Sequence, residues 1–543
     1  MSENRQAAPR PLRDTLARNT VFNALGRVWE AVLGLFLMAY ALRVVGDAGW
    51  GLWSLVAVFT GYAALFDVGV GSGFSKYIAE RAASDTTGRG ISAVVSAGFL
   101  FYTGLGAVMV ILGWLFIDAV LAGILTLQKG SSAAGYQIEE LRFLFRGALL
   151  LFAANNCLAP FSAVPVGLQR MGLGNAVAAA GSVIKAVATV FFLATGYGVI
   201  GLLYAAWVAF VFQAVSGVAV ALYLVPGLRI GPQWTDRHTV AQLFHFGWRA
   251  QVARLANVVN FQTDRAVVWG LSRFGQTGSV GMYAVAESVA AKMRQLPGLL
   301  VSAMVPAVSD LDARGQENRL RELYLRSTKY MAAVAAPMAV YFIGCADMLI
   351  RILAGTQPEA HQAAWVLRIL VVGYLFNLLP APGVSVVLGK GRADVQMYAG
   401  LISMVVNIVL TVAAAWAIGF YGIPIGTSAG MAVSTLWFFH MTRRLLQVPL
   451  GTLFNVCLLW PCCASLPGGV ACVAIQQFLR QETTLLPNLA GAAVAALVLG
   501  FSYMVLIGRL PFLDRFDADF LLETLHMKRV PGFALFTRRA RHV

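Results

Sequence analysis

Apolar residues dominate this chain in long runs, and polar residues gather between them. Ile91–Phe116, Val199–Val225, Met331–Leu353, Val395–Ile418 and Asn488–Ile507 each hold little or no charge over twenty or more positions. About 20 such residues suffice to cross the hydrocarbon core of a bilayer. In that core the backbone must satisfy its own hydrogen bonds, so these runs are predicted to be helices. Read this way, the chain carries fourteen spans, at about residues 20–42, 49–71, 91–116, 143–167, 175–196, 199–225, 246–271, 279–307, 330–354, 363–388, 395–418, 421–441, 453–478 and 486–508. The fourth, seventh and eighth are the most polar.

The pattern repeats. Gly51-Leu-Trp-Ser-Leu-Val56 follows the first span and Gly281-Met-Tyr-Ala-Val-Ala286 follows the seventh. Tyr197-Gly-Val-Ile-Gly201 joins spans five and six, as Tyr421-Gly-Ile-Pro-Ile-Gly426 joins eleven and twelve. Six spans separate the copies, so both halves share one orientation, the parallel kind of repeat found in secondary transporters. The expected fold class is therefore an all-α integral membrane protein. It has one six-helix lobe over residues 1–230, a second over 231–450, and two extra helices with a basic tail over 451–543.

Composition agrees: 59% of the chain is hydrophobic and 12% charged, with mean hydropathy +0.72, whereas a soluble protein carries about 25% charge. The net charge of +16 invites a nucleic-acid partner, but its placement argues for topology instead. Arg5, Arg10, Arg13, Arg18, Lys76, Arg81, Arg89, Arg314, Arg319, Lys390, Arg392, Arg443 and Arg444 all fall on one side of the expected spans. The other side has little beyond Arg43, Lys129, Arg142, Arg273 and Arg480. By the positive-inside rule both termini are cytoplasmic in a bacterial inner membrane. No cleavable leader pattern follows the Arg-bearing N-terminus, so the first span is expected to serve as the targeting signal. The six cysteines lie in apolar segments, without spacing for a zinc site or a disulfide framework. The tail from Asp517 to Lys528 reads as a short amphipathic helix for the membrane surface.

The informative residues are charges within spans, where each ionisable group costs at least about 2.5–3.5 kcal/mol and so faces a bundle interior or a wet cavity. Arg27, Arg146, Lys185, Arg249, Arg254, Arg265, Lys292, Arg294 and Arg368 outnumber Glu30, Asp67, Asp264, Glu287 and Asp347. Arg27/Glu30 and Glu287/Arg294 are spaced as local ion pairs. The excess of cations calls for an anion from outside, and a phosphate-bearing substrate supplies one. Arg27, Arg249, Arg254, Lys185 and Arg294 are therefore the candidate substrate-binding residues. Glu30, Asp264 and Glu287, each an acid on a polar helix face, are candidates for coupling to H+ or Na+. Gly383–Gly391 departs from phosphate-loop spacing and lacks the Ser or Thr after Lys390. No nucleotide site, metal site or cofactor is expected.

Gly49-Trp-Gly-Leu-Trp-Ser-Leu-Val56, continuing to Leu65-Phe-Asp-Val-Gly-Val-Gly71, resembles the opening of the polysaccharide-biosynthesis flippases. So do Asp264-Arg265, Val280-Gly-Met-Tyr-Ala-Val-Ala286, Leu296-Pro297 and Met304-Val-Pro-Ala-Val-Ser309. These are the Wzx-type flippases of the multidrug/oligosaccharidyl-lipid/polysaccharide exporter superfamily, and the resemblance covers roughly residues 15–450. It implies two lobes in a V around a cationic cavity, and alternating-access transfer of an undecaprenyl-pyrophosphate-linked glycan. Membrane lipids, a glycan polymerase and export machinery are the implied partners. A multidrug or metabolite antiporter of the same superfamily is the alternative, against which the cation excess speaks. A membrane-embedded glycan ligase or polymerase would want a large external loop with catalytic groups. The longest external loop here, near Ile117–Leu141, offers only Asp118, Lys129, Glu139 and Glu140 as charges.

Overall fold

The computed structural model describes residues 12–63, 71–84, 88–127, 137–168, 170–235, 239–243, 260–268, 280–295, 314–355 and 359–514, with isolated positions such as Asp517 beside them. Regular structure among these residues is helical throughout. Nine stretches are long and apolar enough to cross a membrane, or ten if one bent pair counts as a span. One of the nine, Asp394–Leu446, folds back on itself, and spans seven and eight lie partly outside the described residues. The described helices have an apolar exterior: Leu115, Trp416, Leu497 and Phe501 are each at least 70% exposed. A soluble protein rarely leaves such side chains facing water, but hydrocarbon accepts them.

The chain packs into two units. The first takes the described residues of Met1–Leu37, Phe59–Thr126 and Gly135–Arg254, and the second those of Met38–Val58, Leu127–Ala134 and Leu255–Val543. Helix α1 (Leu12–Ala63) contributes to both and is interrupted at Gly46, whose φ of 72° suits a residue without Cβ.

In the first unit α1 is followed by α2 (Gly71–Ser84), α3 (Arg89–Leu127), α4 (Ile138–Gly167), α5 (Met171–Ala194) and α6 (Gly198–Leu224). Helix α2 falls where the hydrophobic pattern shows no span. It is too short to cross a membrane, yet Phe74 and Ile78, one turn apart, are fully buried against Tyr102, Phe161 and Val164. A window sized for spans passes over such a stripe. The external loop is also shorter than its composition suggests, because α3 continues to Leu127 and α4 begins at Ile138. Glu139 and Glu140 lie in the first turn of α4, where carboxylates favour the helix dipole. Arg142 bridges Glu139 at 2.6 Å to Asp118 of α3 at 2.7 Å.

The second unit holds α7 (Val280–Gln295), α8 (Glu317–Gly344), α9 (Ala346–Ala354), α10 (Ala360–Leu378), α11 (Ala381–Gly389), α12 (Ala393–Ile418), α13 (Gly422–Leu446), α14 (Trp460–Phe478) and α15 (Leu485–Arg509). Helices α12 and α13 form an antiparallel hairpin whose register is set by glycines four apart. A Cβ on Gly422 would sit 2.1 Å from the Ala414 carbonyl oxygen, one on Gly426 2.4 Å from the Thr411 backbone, and one on Gly430 2.9 Å from the Asn407 backbone. This is the small-residue packing that lets membrane helices touch backbone to backbone. The two copies of the first repeat motif also meet in this unit: a Cβ on Gly51 would lie 3.3 Å from the Gly281 nitrogen.

Just beyond α15 the chain is clasped to the N-terminal half of α8. Asp517 is fully buried and accepts hydrogen bonds from Lys329, from Tyr330 and, at 3.1 Å, from Arg326. Arg326 also reaches Asp514 at 2.9 Å. The tail helix expected from Asp517 onward lies outside the described residues, apart from Asp517 itself.

Candidate functional site

The densest group of buried polar side chains in the second unit surrounds Asp264, on the helical residues 260–268. Asp264 is 3% exposed. Tyr283 of α7 donates to its Oδ2 at 2.7 Å, and the Thr427 hydroxyl of α13 lies 2.7 Å from both carboxylate oxygens. Behind Thr427, Asn407 of α12 donates from Nδ2 at 3.2 Å, and its Oδ1 accepts from Thr411 at 3.4 Å. The glycine register of the α12–α13 hairpin fixes this alignment, since Gly426 and Gly430 flank Thr427 and pack on Thr411 and Asn407.

One turn before Asp264, Asn260 donates to Ser403 at 3.1 Å. The Asn260 side-chain oxygen is buried without a hydrogen-bond partner among the described residues. No described cation comes within ion-pair distance of Asp264; its contacts are hydroxyls. A buried carboxylate with neutral donors alone keeps a large share of its desolvation cost.

Arg265 and Glu287 pair beside this cluster, Nε to Oε2 at 2.6 Å, with both side chains largely buried. Spacing along the chain had matched Glu287 with Arg294 instead. The fold brings Arg265 from a different helix to Glu287, and Arg294 lays its guanidinium over Phe261, 4.0 Å from the ring centre, with Tyr374 at 5.9 Å. Three of the sequence candidates, Asp264, Glu287 and Arg294, thus share one region. Lys185 sits on the exposed face of α5 in the first unit. Arg27 and Glu30 lie on α1 with side chains outside the described part, and Arg249 and Arg254 lie outside the described residues altogether. Sequence reasoning missed Thr427, Asn407 and Thr411. The usable signal was Asn407 and Thr411 at i and i+4 in an otherwise apolar helix, facing a glycine-lined neighbour.

The model of the family described as "Polysaccharide biosynthesis protein" matches residues 16–312, more than half of the chain. The chain belongs to this family. A second model, MatE, matches residues 265–413. A Shigella flexneri protein described as an O-antigen transporter is 21% identical over 383 residues, covering 70% of this chain and 86% of that protein. Among solved structures, an inward-facing multidrug-resistance MATE transporter of the MOP superfamily superposes with a TM-score of 0.63 at 18% identity, over 78% of this chain and 98% of that one. The lipid II flippase MurJ, in an inward closed conformation, gives 0.61 at 14% identity, over 88% and 98%. This family member is thus a multi-pass membrane protein, helical throughout its described residues, with the fold of these solved transporters.

Proposed function

We propose that this polysaccharide-biosynthesis family member flips a lipid-linked oligosaccharide across the bacterial inner membrane, with undecaprenyl pyrophosphate as the lipid anchor. The product would feed cell-surface polysaccharide or lipopolysaccharide assembly. The observation that carries this reading is the family match across residues 16–312. The relative described as an O-antigen transporter supports the substrate class. The excess of cations supports the pyrophosphate: Arg294 and Lys185 have no carboxylate partner among the described residues, and Arg27, Arg249 and Arg254 are assigned the same role. Arginine forks match phosphate oxygens in pairs. The charge distribution supports cytoplasmic termini.

The chain shows no nucleotide-binding motif, so the drive comes from an ion gradient or from removal of product. Asp264 is favoured over Glu287 as the coupling acid, because Arg265 already neutralises Glu287. Asp264, Thr427, Asn407 and the unpartnered Asn260 side-chain oxygen form an oxygen-rich setting for a hard cation. A proton on Asp264 would serve equally. Either ion neutralises the acid in one state and leaves it charged in the other, which biases the equilibrium between them.

The test is reconstitution of the full chain in vesicles with a fluorescent undecaprenyl-pyrophosphate oligosaccharide and a membrane-impermeant quencher. Transfer should require the protein and respond to a sodium or proton gradient. Absence of transfer under every gradient would overturn the assignment. The second reading, a drug or metabolite antiporter, draws on the MatE match. It would show as gradient-driven efflux of organic cations by the same vesicles.

A further inference from the structure

Away from the Asp264 cluster, the second unit contains a cavity of about 630 Å³ at the far end of α8 from the Asp517 clasp. Three features of the chain make it. Helix α8 ends at Gly344 and turns by 68° into α9, α10 starts at Ala360, and α14 runs out at Phe478. Gly344 allows the turn to press on α14, since a Cβ there would meet Cys472 at 2.9 Å.

The walls are tied by their own polar groups. Asp347 pairs with Arg368 and accepts from Gln476 Nε2 at 2.8 Å, while its backbone N–H donates to Gln476 Oε1 at 3.1 Å. Arg351 donates to the carbonyls of Leu479 and Arg480, each at 2.9 Å, closing the end of α14. These bonds account for Asp347 and for much of Arg351. They leave over a set of donors facing the same space. Among the described residues neither the Arg480 guanidinium nor the His361 ring nitrogens make a hydrogen bond or ion pair, although both residues line the cavity. Arg480 lies near enough to Arg351 for the two positive charges to act on each other. In all, three guanidinium groups and one imidazole line the cavity against a single carboxylate.

Exposed apolar side chains lie among the lining residues. Trp365, which carries Arg368 stacked 4.9 Å from its ring centre, is 46% exposed, and Val473 is 45% exposed. Phe478 and Leu486, two residues before and six after Arg480 in the chain, are 87% and 76% exposed, as side chains against acyl chains would be. A like-charged pocket rimmed by lipid-facing side chains suits an amphiphile with an anionic head. Free sugars or cations would leave one of these two properties unused.

We propose that this cavity binds the phosphate headgroup of an anionic membrane lipid, with Arg480, His361 and the free nitrogen of Arg368 on the phosphate and the acyl chains beside Trp365 and Val473. On the expected orientation the lipid comes from the leaflet facing away from the cytoplasm. The site uses none of the residues assigned above to substrate or ion, and its occupancy does not depend on what the chain carries. It would hold the bend between α8 and α9 against α14, in place of the anion that the sequence does not provide.

The experiment is lipid retention by the purified full chain, read by native mass spectrometry. Phosphatidylglycerol, phosphatidylcholine and inorganic phosphate alone serve as separate probes, on the wild type and on Arg480→Gln, Arg480→Lys and the Arg480→Gln/His361→Gln double variant. The Arg480 guanidinium holds no other described group, and His361 makes only an edge contact with Trp365, 6.5 Å between ring centres, so the variants fold. Phosphatidylglycerol should be retained in preference to phosphatidylcholine, and Arg480→Gln should weaken it about tenfold, the loss of one charge-assisted contact. Arg480→Lys should recover part of that, and the double variant should lose more. Retention unchanged in the double variant would overturn the site. Displacement of the lipid by millimolar inorganic phosphate would overturn the lipid assignment in favour of a free anion.

Discussion

Asp264 and Asp517 are buried to nearly the same degree, at 3% and 0% exposure, and their surroundings are opposite in kind. Asp517 is met by Lys329, Arg326 and Tyr330, and its own backbone N–H is taken by Asp514 at 2.8 Å. Its charge is cancelled on the spot, and such a group can do little except hold α8 to the end of α15. Asp264 has hydroxyls and, behind them, amides. Its charge is stabilised without being cancelled, and the proposed coupling ion would complete that task. On the proposed role of Asp264, the company a buried acid keeps separates a lock from a switch more clearly than its depth does.

Removing the acid from the lock should have the larger effect. Asp517→Ala leaves Lys329, whose side chain is 7% exposed, buried and unpaired. Breaking a buried pair in this way costs about 3–5 kcal/mol, so the thermal midpoint and the amount of inserted protein should fall, while transport per surviving molecule stays the same. A fall in specific transport with normal abundance would show that the lock is also a switch.

Asp264→Asn should do the reverse. Abundance should hold, and the response of transport to the sodium or proton gradient should drop by about 5- to 150-fold, the range of a coupling energy of 1–3 kcal/mol. Loss of folded protein with coupling intact in the remainder would put Asp264 in the same class as Asp517. Thr427→Val sharpens the contrast. It keeps the volume and removes one hydroxyl, so stability should change by about 1 kcal/mol, and ion dependence should shift to higher concentration without vanishing.

The smallest effect is on the rim of the lock. Desolvation pushes Asp514 up, but the Asp517 backbone N–H and the Arg326 guanidinium outweigh it and hold the carboxyl below its ordinary range. Its stabilising effect is then complete above about pH 4, the value of the unfolded chain, and is lost as pH falls through the lower folded value. The group is half exposed, so less than about 1 kcal/mol is at stake. Melting of the full chain below pH 4 should be less steep in Asp514→Asn, and an unchanged slope would remove Asp514 from the clasp.

Hydrophobic runs gave the helical architecture because a span is a long, local signal. They overlooked α2, whose buried stripe of Phe74 and Ile78 is too short for a membrane-sized window. Charged candidates were readable because an ionisable residue in a span is costly wherever it goes. Their partners were not, since Arg265 reaches Glu287 across helices while spacing along the chain sees only the same-helix neighbour Arg294. Thr427 and Asn407 were hidden for another reason. Threonine and asparagine are ordinary in membrane helices, and only the close α12–α13 packing turns these two toward an acid. The break of α8 at Gly344 lies two turns beyond Pro337, and only the fold shows that α14 brings Cys472 to where a Cβ on Gly344 would sit.

The clasp at Asp517 also sets an order of events during synthesis. Lys329 precedes its counter-charge by 188 residues. At about 5–20 residues per second, a ribosome needs roughly 10–40 s to make that stretch. For that time Lys329 lacks its counter-charge, while Arg326 already has Glu322 at 2.9 Å, and α8 is free to settle against the helices that follow it. Arrival of Asp517 comes after α14 and α15, so the clasp closes only once those two helices have been made. The last described carboxylate of the chain thereby acts as a checkpoint in time for an element inserted much earlier.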